Sequence, residues 1–184
     1  MAGGPMNRLK EQCHFLGDAY FQNKKTPLLI LPYNEDCEER KAADLASFKG
    51  FIDGIKAEGQ TNFAGPLTAV LREVKSGNVR SLLVYFLTDG EESIKVGTND
   101  AYYKLKLELA ERKITSKFCV LGIGNDQDAE FLNKLSGAGT EQGFFVNNDP
   151  AKFVHEATKE LNVANQIFER FGGKIHAIPA IKHH

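Results

Sequence analysis

Ser81-Leu82-Leu83-Val84-Tyr85-Phe86-Leu87-Thr88-Asp89-Gly90 is an apolar run that stops abruptly at an acid and a glycine. Seven residues this apolar and β-prone, bounded by turn formers, predict a strand buried on both faces, as strands of a parallel sheet are. Its carboxyl end is then the candidate site, because ligands of open α/β sheets collect in the crevice outside the carboxyl ends of the strands. Asp89 would meet a metal, a phosphate or a partner there. Capping of a turn is the alternative role for an Asp-Gly pair after a strand.

Working outward, helical and strand patterns alternate. Met6, Leu9, Cys13, Leu16 and Tyr20 recur at spacings of three and four behind Pro5, predicting an amphipathic helix. Pro27 to Leu31 predict a short apolar strand, with prolines fitting only its ends. The acidic stretch Asn34 to Arg40 reads as a solvated loop or first helical turn rather than a metal site. Leu45, Phe48, Ile52 and Ile55 mark a second helix, and Phe63, Leu67, Val70, Leu71 and Val74 a third, stopped by Gly77.

Beyond the Ser81–Leu87 strand, a helix on Tyr102, Leu105 and Leu109 leads to a strand over Phe118–Ile123. A short helix, Asp128 to Leu135, a brief strand, Gly143 to Val146, and a long helix opened by Asn147-Asn148-Asp149-Pro150 follow. The fold class expected is α/β, a doubly wound, mostly parallel sheet with helices on both faces. Residues 1–173 form the domain, and 174–184 are set apart as a tail whose closing His183-His184 could be the remnant of a purification tag.

At 184 residues, 42% hydrophobic and 26% charged, the chain suits one domain with a real core. A formal net charge of -1 and no Lys/Arg-rich block argue against nucleic acid as partner. No apolar run approaches a membrane-spanning helix. Cys13, Cys37 and Cys119 have no metal-ligand spacing and fit a reduced, cytoplasmic protein, although a signal could lie upstream. His14, His155 and His176 are isolated from one another and read as ordinary boundary histidines.

Two polar points fall on the predicted rim: Thr61, before the third helix, and Asp89, with Glu91 and Glu92 beside it. Such oxygen-only ligation suits Mg²⁺ or Ca²⁺ rather than zinc. Gly59-Gln60-Thr61-Asn62-Phe63-Ala64-Gly65-Pro66-Leu67, followed about twenty residues later by Val84 to Gly90, resembles the second and third motifs of the von Willebrand factor type A (vWA) domain. The likeness continues through Phe118 to Asn125, the Phe-Phe-Val strand and the Asn-Asp-Pro helix start.

The resemblance implies a protein-interaction module with a metal-ion-dependent adhesion site, in which Thr61 and Asp89 are metal ligands and a partner's acidic side chain completes the ion's coordination. The family's D-x-S-x-S motif and the strand before it have no match; Met1 to Pro5 resemble the residues that follow them. The chain therefore reads as truncated or divergent, and Mg²⁺ (or Ca²⁺ or Mn²⁺) is expected to bind weakly or not at all. The family's antiparallel edge strand is also not legible between Leu31 and Leu45, where the chain is short, acidic and helix-prone.

Two alternatives stand beside this reading: a metal-free scaffold of the same fold binding partners through helix faces, and a Mg²⁺-dependent phosphoryl-transfer enzyme using Asp89. The sequence offers the enzyme no P-loop, nucleophile elbow or second strand-end acid, so no catalysis is expected. Without the family's first strand, two inner sheet edges would be left unpaired, at about a kcal/mol or more per buried group. The slot is therefore expected to be filled. Pro179 counts against the tail, so strand exchange in a homodimer is placed ahead of tail insertion.

Overall fold

The computed structural model describes residues 4–23, 28–34, 36–56, 60–77, 79–88, 96–124, 128–171 and 175–182. In chain order the elements are α1 (Pro5–Asn23), β1 (Leu28–Tyr33), β2 (Arg40–Ala42), α2 (Leu45–Gly54), α3 (Ala64–Lys75) and β3 (Ser81–Thr88). There follow α4 (Thr98–Glu111), β4 (Thr115–Gly122), α5 (Ala129–Leu135), β5 (Phe144–Asn147), α6 (Pro150–Phe171) and β6 (Ile175–Lys182). The six strands make one sheet in the order β2-β1-β6-β3-β4-β5. All pairs are parallel except β1 with β2.

β3 divides its side chains between two cores by the period of two that a strand imposes. Leu82, Val84 and Phe86 pack with α3, α4 and α5 on one face, through Leu67, Val70, Leu105 and Leu132. Leu83, Tyr85 and Leu87 pack with α1, α2 and α6 on the other, through Leu9, Leu16, Phe48, Ile52 and Phe153. Each such side chain, fully buried, contributes about 1.5–3 kcal/mol. The sheet is therefore covered on both faces, which is why this run lacks the polar alternation of a half-exposed strand.

Local chemistry starts the helices where the sequence signals them. Asp44 caps α2 by accepting a hydrogen bond from Ser47 N at 2.7 Å, Asp128 caps α5 from Phe131 N at 3.1 Å, and Asp149 accepts from Lys152 N in the first turn of α6 at 3.1 Å. These bonds satisfy N–H groups that a helix start otherwise leaves open.

Two expectations are corrected. The segment between Leu31 and Leu45 does hold an antiparallel edge strand: β2 registers Arg40 with Ile30, Lys41 with Leu29 and Ala42 with Leu28. Three residues are too few to display a strand period, and pairing with β1, with Ala42 fully buried, imposes the conformation. The second correction concerns the slot between β1 and β3, which the chain's own tail fills as β6, so the structure gives no support to a strand-exchanged homodimer. β6 registers with β3 from Ser81↔Ile175 to Leu87↔Ile181. Its ladder with β1 begins only at Leu31↔Ala180, just after Pro179, whereas the β3 ladder runs through Pro179 unbroken, so the missing donor falls at the start of the β1 seam.

Candidate functional site

Because β1, β6, β3, β4 and β5 run parallel, their carboxyl ends open on one rim. The loop carrying Thr61 crosses there. Asn62 N donates to the carbonyl of Asn34, the residue after β1, at 2.8 Å. The Asn62 side-chain oxygen accepts from Ala64 N at 2.9 Å, closing the start of α3. Phe63, fully buried, sets its ring against Phe86 at 5.3 Å, Tyr33 at 6.1 Å and Phe131 at 5.7 Å. Between these anchors Thr61 is 1% exposed. Its hydroxyl belongs to the rim floor rather than to the solvent-facing surface.

The floor continues across the sheet through short-range polar links. Tyr33 Oη donates to the carbonyl of Leu87 at 3.3 Å, bridging β1 to β3. Ile123 N donates to the carbonyl of Thr88, the buried last residue of β3, at 2.9 Å. Asn148, at a φ of 56°, clasps Gly124 twice, accepting from its N at 2.7 Å and donating to its O at 2.9 Å. Asn tolerates this left-handed backbone better than most residues, because its short amide can bond locally.

Asp89, Glu91 and Glu92 lie outside the described residues, so the expected meeting of Asp89 with Thr61 is not part of the described geometry. Among the described residues no group of three His, Cys, Asp or Glu could hold a metal ion. The strand in the slot, Ile175 to Lys182, carries neither a carboxylate nor a hydroxyl in its sequence. A six-oxygen site for Mg²⁺ needs several such donors. Thr61, the one described member of the predicted ligand pair, does not by itself fit the ion.

The cysteines offer no alternative chemistry. Burial pushes the Cys37 thiol up to about 12, with Glu39 adding to the shift and Arg72 opposing it. Cys13 and Cys119, buried in the core, are raised further by the same desolvation. At all three, burial disfavours the thiolate, the form that acts as nucleophile or metal ligand.

Sequence reasoning missed the framework of asparagines. Asn62 had a legible signal, a capping-type residue just ahead of an apolar helical pattern, whereas the clasp of Asn148 on Gly124 joins two loops that only the pairing of β4 with β5 brings together.

No protein-family model matches the chain, and no curated protein matches it. Among solved structures, a von Willebrand factor type A protein from Catenulispora acidiphila matches over 85% of this chain and 37% of its own length, at 16% identity and a TM-score of 0.66. Proximal thread matrix protein 1 from the mussel byssus, with a zinc-occupied MIDAS motif, matches over 89% of this chain and 42% of its own length. That match has 19% identity and a TM-score of 0.63; a second crystal form of the same protein gives 18% and 0.59. The chain thus has the vWA fold and spans about two-fifths of the length of the structures it matches.

Proposed function

We propose that the chain acts as a protein-interaction module that engages a protein partner at the carboxyl rim of its sheet. One observation carries the reading: the loop holding the buried Thr61 is pinned to β1 through Asn34 and to β3 through Phe86, at the rim where all the parallel strands end. A rim tied down in this way is pre-organised, which limits the ordering cost of binding a partner. The vWA fold adds support, since the vWA resemblance implies partner binding at this end of the sheet.

Mg²⁺ is expected to contribute little. Thr61 and Asp89 together would leave most of the six oxygens of an octahedral ion to water, so no step of partner binding is routed through a metal.

Photo-crosslinking tests the reading. A benzoylphenylalanine placed at the exposed Gln60 on the rim is expected to give discrete protein adducts that persist in EDTA. The same group at the exposed Glu111, at the far end of α4, is expected to give none of them. Identical adducts from both positions, or none from Gln60, would overturn the assignment of the rim.

A further inference from the structure

A cleft of about 180 Å³ lies between α2 and the β1–β2 edge, its lining including Pro32, Glu38, Arg40, Phe51, Lys56 and the glycines Gly50 and Gly54. We propose that this cleft is a docking site for an acidic side chain of a partner protein, presented beside an apolar one. The proposal rests on the interaction-module reading but shares no residue with the rim described above.

Size selects the ligand class first. The cleft is smaller than the roughly 300–1,000 Å³ of pockets that take cofactors or drug-sized molecules, and it suits a single large side chain. Its floor is unusually bare: Gly50 and Gly54 stand one turn apart on α2, and a β-carbon at either would meet nothing within 4 Å. Exposed helix interior normally favours alanine over glycine, and here the two glycines leave the backbone open to a visitor. Phe51 and Pro32 supply the apolar wall.

Charge then selects the visitor's chemistry. The Arg40 guanidinium lies over the Phe51 ring at 5.6 Å. Its Nε and Nη2 both donate to one oxygen of Glu38, at 3.2 and 2.9 Å. Stacking and fork together fix the guanidinium plane while the Nη1 end makes no hydrogen bond among the described residues. A planar guanidinium held this way is matched to a carboxylate. Lys56 makes no ion pair among the described residues and adds a second positive charge against the single acid of the lining. The excess positive charge complements an acidic ligand.

The test is a titration of the ¹⁵N-labelled full chain, in EDTA and low salt, with acetyl-Glu-Leu-Glu-amide and, as control, acetyl-Gln-Leu-Gln-amide. The acidic peptide is expected to shift the amide resonances of Gly50, Phe51 and Gly54 and the Nε resonance of Arg40, and the control is not. Gly54→Leu fills the cleft where the fold has room for it, and Arg40→Lys keeps the charge but removes the planar fork. Each is expected to weaken binding about ten-fold or more, with an unchanged circular dichroism spectrum. No shift at these residues with the acidic peptide in large excess, equal binding of the control, or affinity that survives either substitution would overturn the proposal. Because EDTA is present and the rim is untouched, a negative result here leaves the crosslinking test at Gln60 standing, and the reverse holds too.

Discussion

Pro179 stands in register with Tyr85, so a residue with no N–H to give lies in the middle of the sheet, in the ladder between β6 and β3. The β3 ladder continues through it, with Val84↔Ile178 and Phe86↔Ala180 on either side, because Tyr85 supplies the N–H and C=O of that pair; the absent donor faces β1, whose pairing begins only at Ala180. A second loss should not be tolerated. Ala180→Pro, opposite Phe86, removes a donor that does face β3 and is expected to destabilise the fold by roughly 3 kcal/mol. Pro179→Val, which supplies the absent donor, is expected to be neutral or slightly stabilising, since the regained bond of about 1 kcal/mol is partly offset by a freer unfolded chain. Urea denaturation of both variants measures the contrast, and an equal effect of the two would argue against β6 as an inner strand.

Gly143 is expected to accept no side chain. A β-carbon there would run into the carbonyls of Phe118 and Ser136, and the Ser136 carbonyl already accepts a hydrogen bond from Gly143 N at 2.9 Å. Backbone cannot swing aside as a flexible side chain can, so Gly143→Ala should cost about 2–3 kcal/mol. Gly50→Ala, facing open space, should be neutral or stabilising by comparison. Thermal unfolding of the pair checks the sign of each.

Asn148→Ala is expected to lose about 2 kcal/mol, from two hydrogen bonds to Gly124 and from placing alanine at a φ of 56°. Asn148→Gly forfeits the same bonds without the backbone penalty and should fall between alanine and the parent. Equal stabilities for the two variants, measured in urea, would mean that the left-handed backbone contributes nothing to the loss.

Acid should weaken the start of α2. Hydrogen bonds from the Ser47 backbone, and then from its side chain, hold the Asp44 carboxyl below its ordinary value of 3.8. A folded pKa below the unfolded one means that the carboxylate's contribution is present above the unfolded pKa and disappears as pH falls through the folded one. Stability measured from pH 6 down to pH 2 should therefore lose a component in the parent that Asp44→Asn lacks. The asparagine keeps a capping oxygen, so the two proteins should converge at low pH; profiles of identical shape would exclude Asp44 as a source of the pH dependence.

How much of this was legible depended on where each conformation gets its stability. β3 was readable because both of its faces are buried and every position had to be apolar. α3 and α5 were readable because apolar residues recur at helical spacing toward one core. β2 was not, because its three residues are held as a strand by Leu28, Leu29 and Ile30 rather than by any preference of their own. The placement of β6 was argued against on Pro179 alone, and the weight given to that donor was too large: the β1 seam does not begin until Ala180. At the rim, Thr61 was found by its motif, whereas Asn34, Asn62 and Asn148 act through contacts between loops that lie far apart in sequence.

The position of β6 also sets a timetable. The strand that closes the middle of the sheet is the last of the described strands in chain order, and its partners lie far upstream, Leu31 against Ala180 and Leu87 against Ile181. Among the described strands, none joins the β1–β2 pair to the β3–β4–β5 set until β6 has been made. Contacts of such long sequence separation slow folding, toward the millisecond-to-second range of topologies dominated by non-local pairing. In that interval two apolar strand edges, β1 and β3, face each other across an empty lane, the kind of surface on which nascent chains aggregate or recruit chaperones. Of the described strands, it is β6 that makes the sheet a single body.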